Sequence, residues 1–247
     1  MAAGNPTWGE ERIANELNLK LGIRVSPRTV EKYLQCGGPV RTPDPKQRWL
    51  TFVQNHAQVV AACDFFIVVT ATFRVLYVFV IMELGTRRIL HCNVTAHPTA
   101  EWTVQQFREA LPGDHRYRFV IHDRDSIFSR ELDKKVSAMG VRVLRTPVRA
   151  PKANSVCERF GGTLRRECLD FLIPFNERHL RFVLKAWIAH FNHCRPHMSL
   201  GPGIPAPLRP PPSESAHRHS IPAGHSLRSV AILGGLHHEY WLEKVAA

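Results

Sequence analysis

FVIHDRDSIF, residues 119–128, decides how this chain is read. A short apolar, β-prone run ends there on two aspartates, Asp123 and Asp125. A carboxylate at the end of a buried strand is strongly unfavourable unless something neutralises it. The same situation recurs upstream in AACDFFIVV (61–69), where Asp64 sits inside an apolar strand-like run. Downstream, APKANSVCERF (150–160) carries Glu158 at the start of a segment, Cys157 to Phe171, that reads as a helix. Two strand carboxylates and one helical carboxylate can converge on one point. Hard oxygen donors so placed suit a divalent cation, and Asp64, Asp123 and Glu158 are therefore expected to form a metal-binding triad for phosphoryl transfer.

The surroundings of that triad are basic. The 247 residues carry a net charge of +12 and a pI near 9.9, which implies an anionic partner, nucleic acid first. From Val141 to Arg166 seven basic residues (Arg142, Arg145, Arg149, Lys152, Arg159, Arg165, Arg166) accompany one acid, Glu158. A hydrophobic content of 44% is enough for a sizeable core, expected to be one main domain with small appendages. No apolar run reaches the length of a membrane span, and MAAGNPTWGEER lacks the regions of a secretory signal. Six cysteines without a CxxC pair read as reduced thiols, and a cytosolic location is expected.

Toward the N-terminus, Ile13, Leu17 and Leu21 repeat at helical spacing and Gly22 ends that helix. Ser26 offers an N-cap and Pro27 a first helical residue for PRTVEKYL, whose Arg28 and Lys32 could meet phosphates or base edges. Residues 1–36 are therefore expected to be a helix-turn-helix, 37–47 a Gly/Pro-rich linker, and 48–207 the main domain. That domain reads as strands Val59–Thr70, Phe73–Leu84 and Arg88–Thr95, then a helix with Trp102, Phe107 and Leu111 on one face. Strand Arg118–His122, helix Arg130–Met139, strand Val141–Leu144 and the Glu158 helix follow, in the order βββαβαβα. Residues 208–224, rich in Pro, Ser and His, are expected to be a flexible linker, and 225–247 to add a short terminal strand.

Element order and acid placement resemble the ribonuclease H-like catalytic core of retroviral-type integrases and insertion-sequence transposases, over Lys46 to Pro207. The most specific pieces are HDRDSIF, Ala150 through Arg159 with Asn154 and Glu158 at the family's spacing, and FNHCRPHMSLG. The resemblance implies an α/β fold, a five-stranded mixed sheet flanked by helices. It assigns metal binding and catalysis to Asp64, Asp123 and Glu158, held with Mg²⁺ or Mn²⁺ in a two-ion site. Asp123 is preferred to Asp125 because it matches the family's aspartate, and Asp125 is expected in a turn or salt bridge. Arg165 matches a family residue two helical turns after the glutamate and is expected to contact DNA, with Arg149, Lys152, Asn154, Arg159 and Arg166. The implied activity is metal-dependent DNA cleavage and strand transfer without a nucleotide cofactor. Its partners would be element ends and target DNA, and the chain would act as a homo-oligomer in the bacterial cytoplasm, at the nucleoid when on DNA. Relatives usually carry a further DNA-binding segment before the helix-turn-helix, so an N-terminal piece is expected to be missing.

Two other readings stay open: a ribonuclease H-like nuclease that cuts without joining, and a catalytically silent DNA-binding copy. Gly161-Gly162 within the Glu158 helix bears on the second, since each glycine costs about 1 kcal/mol relative to alanine. His190, His193, Cys194 and His197 are close enough to suggest zinc, but the resemblance explains this stretch as a helix exit packing on the core. His237 and His238 read as surface or edge residues, and Trp102 and Trp187 as core.

Overall fold

The computed structural model describes residues 5, 8–35, 45–146, 154–201, 203–208 and 220–245. The chain divides into two compact units, Met1–Arg48 and Trp49–Ala247.

In the first unit, α1 (Glu10–Leu21) and α2 (Pro27–Gln35) bury Ile13, Ala14 and Val30 among Trp8, Leu17, Val25 and Leu34. Gly22 ends α1 at φ 68°, a left-handed conformation favouring glycine, and its N–H returns to the Asn18 carbonyl. Ser26 Oγ accepts the Thr29 N–H at 3.1 Å and so caps α2. Arg28 and Lys32 are exposed. Leu21, expected in the apolar stripe, is exposed instead, and Ala14 takes the inner place.

A helix absent from the sequence reading, α3 (Pro45–His56), occupies the end of the expected linker. Proline fits the first turn of a helix, where its missing N–H has no partner to lose. Within the second unit, Trp49 and Val53 pack under the first strand, and Phe52 meets Phe119 edge-on at 5.1 Å.

The second unit is built on β1 (Val60–Val69), β2 (Val75–Glu83), β3 (Ile89–Thr95), β4 (Phe119–His122) and β5 (Arg142–Arg145). The sheet order is β3-β2-β1-β4-β5. The first three strands form an antiparallel meander, while β4 and β5 join β1 in parallel through crossovers containing α4 (Ala100–Ala110) and α5 (Arg130–Ser137). Thr99 caps α4 and Ser129 caps α5.

Successive side chains of a strand point to opposite faces, so a strand buried on both sides must be apolar throughout. β2 shows this: Phe79 and Ile81 enter a core with α4 and α5, whereas Val78, Val80 and Met82 enter one with α6 (Ser155–Glu167) and α7 (Glu177–His193). Trp187 of α7 is fully buried in the latter, and Trp102 packs against the former. This is the five-stranded, helix-flanked mixed sheet of the ribonuclease H-like fold. Where one terminal strand was expected, β6 (His225–Ile232) and β7 (His237–Lys244) form an antiparallel hairpin. Five cysteines among the described residues are free thiols. Among the described residues no helix is long and apolar enough to cross a membrane.

Candidate active site

The alternation along β1 determines where Asp64 points. Ala61 and Cys63 face the α4/α5 core, while Ala62 packs with Cys157 of α6 and Phe66 with Phe160 of α6. Asp64 shares the parity of Ala62 and Phe66 and therefore faces α6, beside the turn that carries Glu158. The parallel register of β1 and β4 pairs Ala62 with Ile121. Asp123 follows directly on the end of β4, next to β1, and its charge acts on Asp64.

Two hydrogen bonds tie α6 along β1. Asn154 Nδ2 donates to the Cys63 carbonyl at 3.2 Å, and Arg165 Nη2 donates to the Ile67 carbonyl at 2.9 Å. Eleven helical residues advance about 16 Å and four strand residues about 13 Å, so helix and strand run alongside each other, with Glu158 between the ties. Asn154 was expected to contact DNA. It is only 5% exposed and its amide faces β1, which makes it a residue that positions α6. Arg159 and Arg166 are exposed on α6, as is Glu158. Arg149 and Lys152 lie outside the described residues.

The Asp123 loop rests on a set of contacts that the sequence did not assign. His122 is 1% exposed, with Nε2 3.0 Å from Asp133 Oδ1 and Nδ1 2.5 Å from the Asp123 carbonyl oxygen. Arg145 donates to Asp133 Oδ2 through Nε at 2.8 Å and Nη2 at 2.5 Å, and Phe128 stacks on the His122 ring. Asp125 serves the turn: its Oδ1 accepts from Ser126 Oγ and the Ile127 N–H. Arg87 was likewise unanticipated. It adopts φ 65° after β2, and burial, with the nearby Arg159 charge, lowers its pKa.

The electrostatics reflect this gathering of acids. The Asp64 carboxyl is pushed up to about 7, mainly by burial and then by the Asp123 charge, with smaller contributions from Glu158 and Asp125; the Phe65 N–H bond to its Oδ1 opposes the shift. Among the described residues no cation pairs with Asp64, Asp123 or Glu158. Nor are the three drawn within 4.8 Å of one another, the spread of the only tight group of metal-type ligands among the described residues. All-oxygen donors and uncompensated negative charge fit a hard divalent cation.

A family model described as integrase core domain matches residues 139–205, from the end of α5 through β5, α6 and α7. A chain of the simian T-cell lymphotropic virus intasome is similar in structure, with a TM-score of 0.50 and 13% identity over 74% of this chain and 66% of that chain. The fold is an integrase-type core. The chain spans just under two thirds of that viral relative's length. The catalytic core domain of BIV integrase is similar at a TM-score of 0.45 and 14% identity, over 60% of this chain and 91% of that one. The corresponding domain of HTLV-2 integrase, solved in complex with magnesium, gives a TM-score of 0.46 and 10% identity over 57% and 90%. No curated protein matches the chain. The matched stretch of the integrase-type core includes Glu158, Arg159, Arg165 and Arg166, whereas Asp64, on β1, and Asp123, in the loop just after β4, precede it.

Proposed function

We propose that this chain is a divalent-metal-dependent DNA strand transferase of the insertion-sequence type, with Asp64, Asp123 and Glu158 as its metal-holding catalytic residues. The observation that carries the proposal is Asp64: a carboxylate set into an apolar strand, facing α6, beside two further acids, with no described cation to balance it. Proteins rarely keep such a group without a use for its charge. Mg²⁺ or Mn²⁺ bound by these oxygens would neutralise the acids and stabilise charge on attacking and leaving oxygens of a phosphodiester.

The chain's own residues divide the remaining work. Asn154 holds the start of α6 against β1, so that Glu158 stays level with Asp64. The network of His122, Asp133 and Arg145 supports the loop carrying Asp123. Arg159, Arg165 and Arg166 offer guanidinium groups for the DNA backbone beside the acids, joined by Arg149 and Lys152, while Arg28 and Lys32 on α2 would bind DNA through the first unit. Domain roles follow: DNA binding in residues 1–36, chemistry in 48–207, and a short terminal segment from 225. Joining requires two DNA ends in one event, so the active form is a homo-oligomer on DNA.

A second reading, a silent DNA-binding copy, draws on Gly161 and Gly162, because nothing packs where a side chain at Gly161 would stand. One assay separates the two: Mn²⁺-dependent strand transfer on labelled ends taken from the flanking DNA, with Glu158→Gln as control. Joined products from wild type alone support the transferase. Cleavage without joining points to a nuclease, and tight binding with neither reaction to the silent copy.

A further inference from the structure

Away from the carboxylates, three ligand-type atoms of different chemistry come within 4.8 Å of one another, on His190, Cys194 and Glu239. His190 and Cys194 stand one helical turn apart at the end of α7, which directs both to one side of the helix. Glu239 comes from β7, and its Oε1 lies 3.2 Å from His190 Nδ1. His190 is buried, and Cys194 and Glu239 are half-buried, so the group is largely withdrawn from water. The neighbourhood fixes it in place. The His237 ring stacks on His190 with centroids 5.0 Å apart, its Nε2 lies 2.7 Å from the Glu167 carbonyl oxygen, and Leu233 packs into the α7 core. His237, expected at the surface or an edge, is half-buried at the start of β7.

We propose that His190 Nδ1, Cys194 Sγ and a Glu239 carboxylate oxygen form a zinc site that clamps the β6–β7 hairpin to α7, with water as the fourth ligand. The donor set decides the metal: nitrogen, thiolate sulfur and oxygen together suit Zn²⁺, whereas Mg²⁺ prefers oxygen alone. Tetrahedral zinc with bonds of about 2.0–2.3 Å holds neighbouring donors about 3.3–3.8 Å apart, a spacing that the His190 Nδ1–Glu239 Oε1 distance of 3.2 Å nearly meets. As the Zn–S bond forms, the Cys194 thiol proton leaves to solvent and His190 binds as neutral imidazole. The alternative is a set of hydrogen bonds that holds the hairpin without any ion.

The test uses the full chain stripped of metal and titrated with Co²⁺ and then Zn²⁺. The site predicts a single Co²⁺ per chain that carries a thiolate-to-cobalt charge-transfer band, displaced by Zn²⁺, whatever Co²⁺ the acidic triad binds without such a band. Cys194→Ser removes the band, Glu239→Gln weakens Zn²⁺ by about 10-fold or more, and Glu158→Gln changes neither, which separates this site from the acidic triad. Zn²⁺ should also protect residues 225–245 from limited proteolysis in wild type but not in Glu239→Gln. Glu239 is partly exposed, so Glu239→Gln keeps the fold and carries the test if Cys194→Ser does not. No charge-transfer band in wild type, or unchanged Zn²⁺ affinity in Glu239→Gln, overturns the proposal.

Discussion

Asp64 gives the metal-free chain a pH dependence opposite in sign to that of a salt-bridged acid. Its carboxyl titrates near 7 in the folded state against an ordinary value of 3.8, so between these limits the folded chain holds the extra proton. Stability is therefore fully present below about pH 4 and is lost as pH rises through 7. Asp64→Asn should stabilise the metal-free protein by roughly 2 kcal/mol at pH 8, a figure reduced for the partial exposure of the group, and the gain should vanish at pH 4. Thermal melts at the two pH values check this, and Mn²⁺ should raise the wild-type melting temperature at pH 8 without raising that of Asp64→Asn. A second residue-level expectation concerns Asp133, which holds both His122 and Arg145. Asp133→Ala leaves His122 Nε2 and the Arg145 guanidinium without their carboxylate beneath the Asp123 loop and should cost about 1–3 kcal/mol in urea denaturation, with reduced strand transfer under the proposed function. Asp64 was legible because an acid inside an apolar run is costly wherever the strand lies. The partners of Asp133 and Asn154 were not, because they depend on which atoms of distant segments come opposite one another.

At the scale of elements, α6 is held to β1 at both ends but carries two glycines between the ties. A methyl at Gly161 would meet nothing within 4 Å, whereas one at Gly162 would lie 3.2 Å from Arg166 Nη1. Gly161→Ala should thus raise stability by about 0.5–1 kcal/mol, seen as a higher denaturation midpoint with an unchanged slope, and Gly162→Ala should gain less. If Gly161→Ala also raises the rate of strand transfer, the loose helix limits the placement of Glu158. The strands and helices of the main sheet could be read from alternating or helical apolar spacing, since each packs against a core. Two elements could not. The start of α3 is hidden in a run of Pro, Lys and Gln that also spells a linker, and β6 exposes most of its length and so lacks the alternation that marks a half-buried strand.

For the whole molecule, charge is divided unequally between the two units. Met1–Arg48 holds 8 basic and 5 acidic residues, against 25 and 16 in Trp49–Ala247, so net charges of +3 and +9 account for the total of +12. Sequence-independent DNA affinity scales with phosphates neutralised, and under the proposed function most of its salt dependence should survive removal of residues 1–44 while any preference for element ends is lost. Binding isotherms between 50 and 200 mM salt, measured with specific and unrelated duplexes, give both quantities. A different consequence concerns the order in which the chain is made. Every strand of the main sheet precedes α6 in the sequence, and Glu158 is the last of the three acids to be synthesised. The sheet can therefore begin to assemble while only two of its acids exist, and the full mutual repulsion arises once α6 docks against β1. A nascent chain halted before α6 would carry Asp64 and Asp123 without their third partner. The three acids thus come together late, after most of the scaffold that holds them has been built.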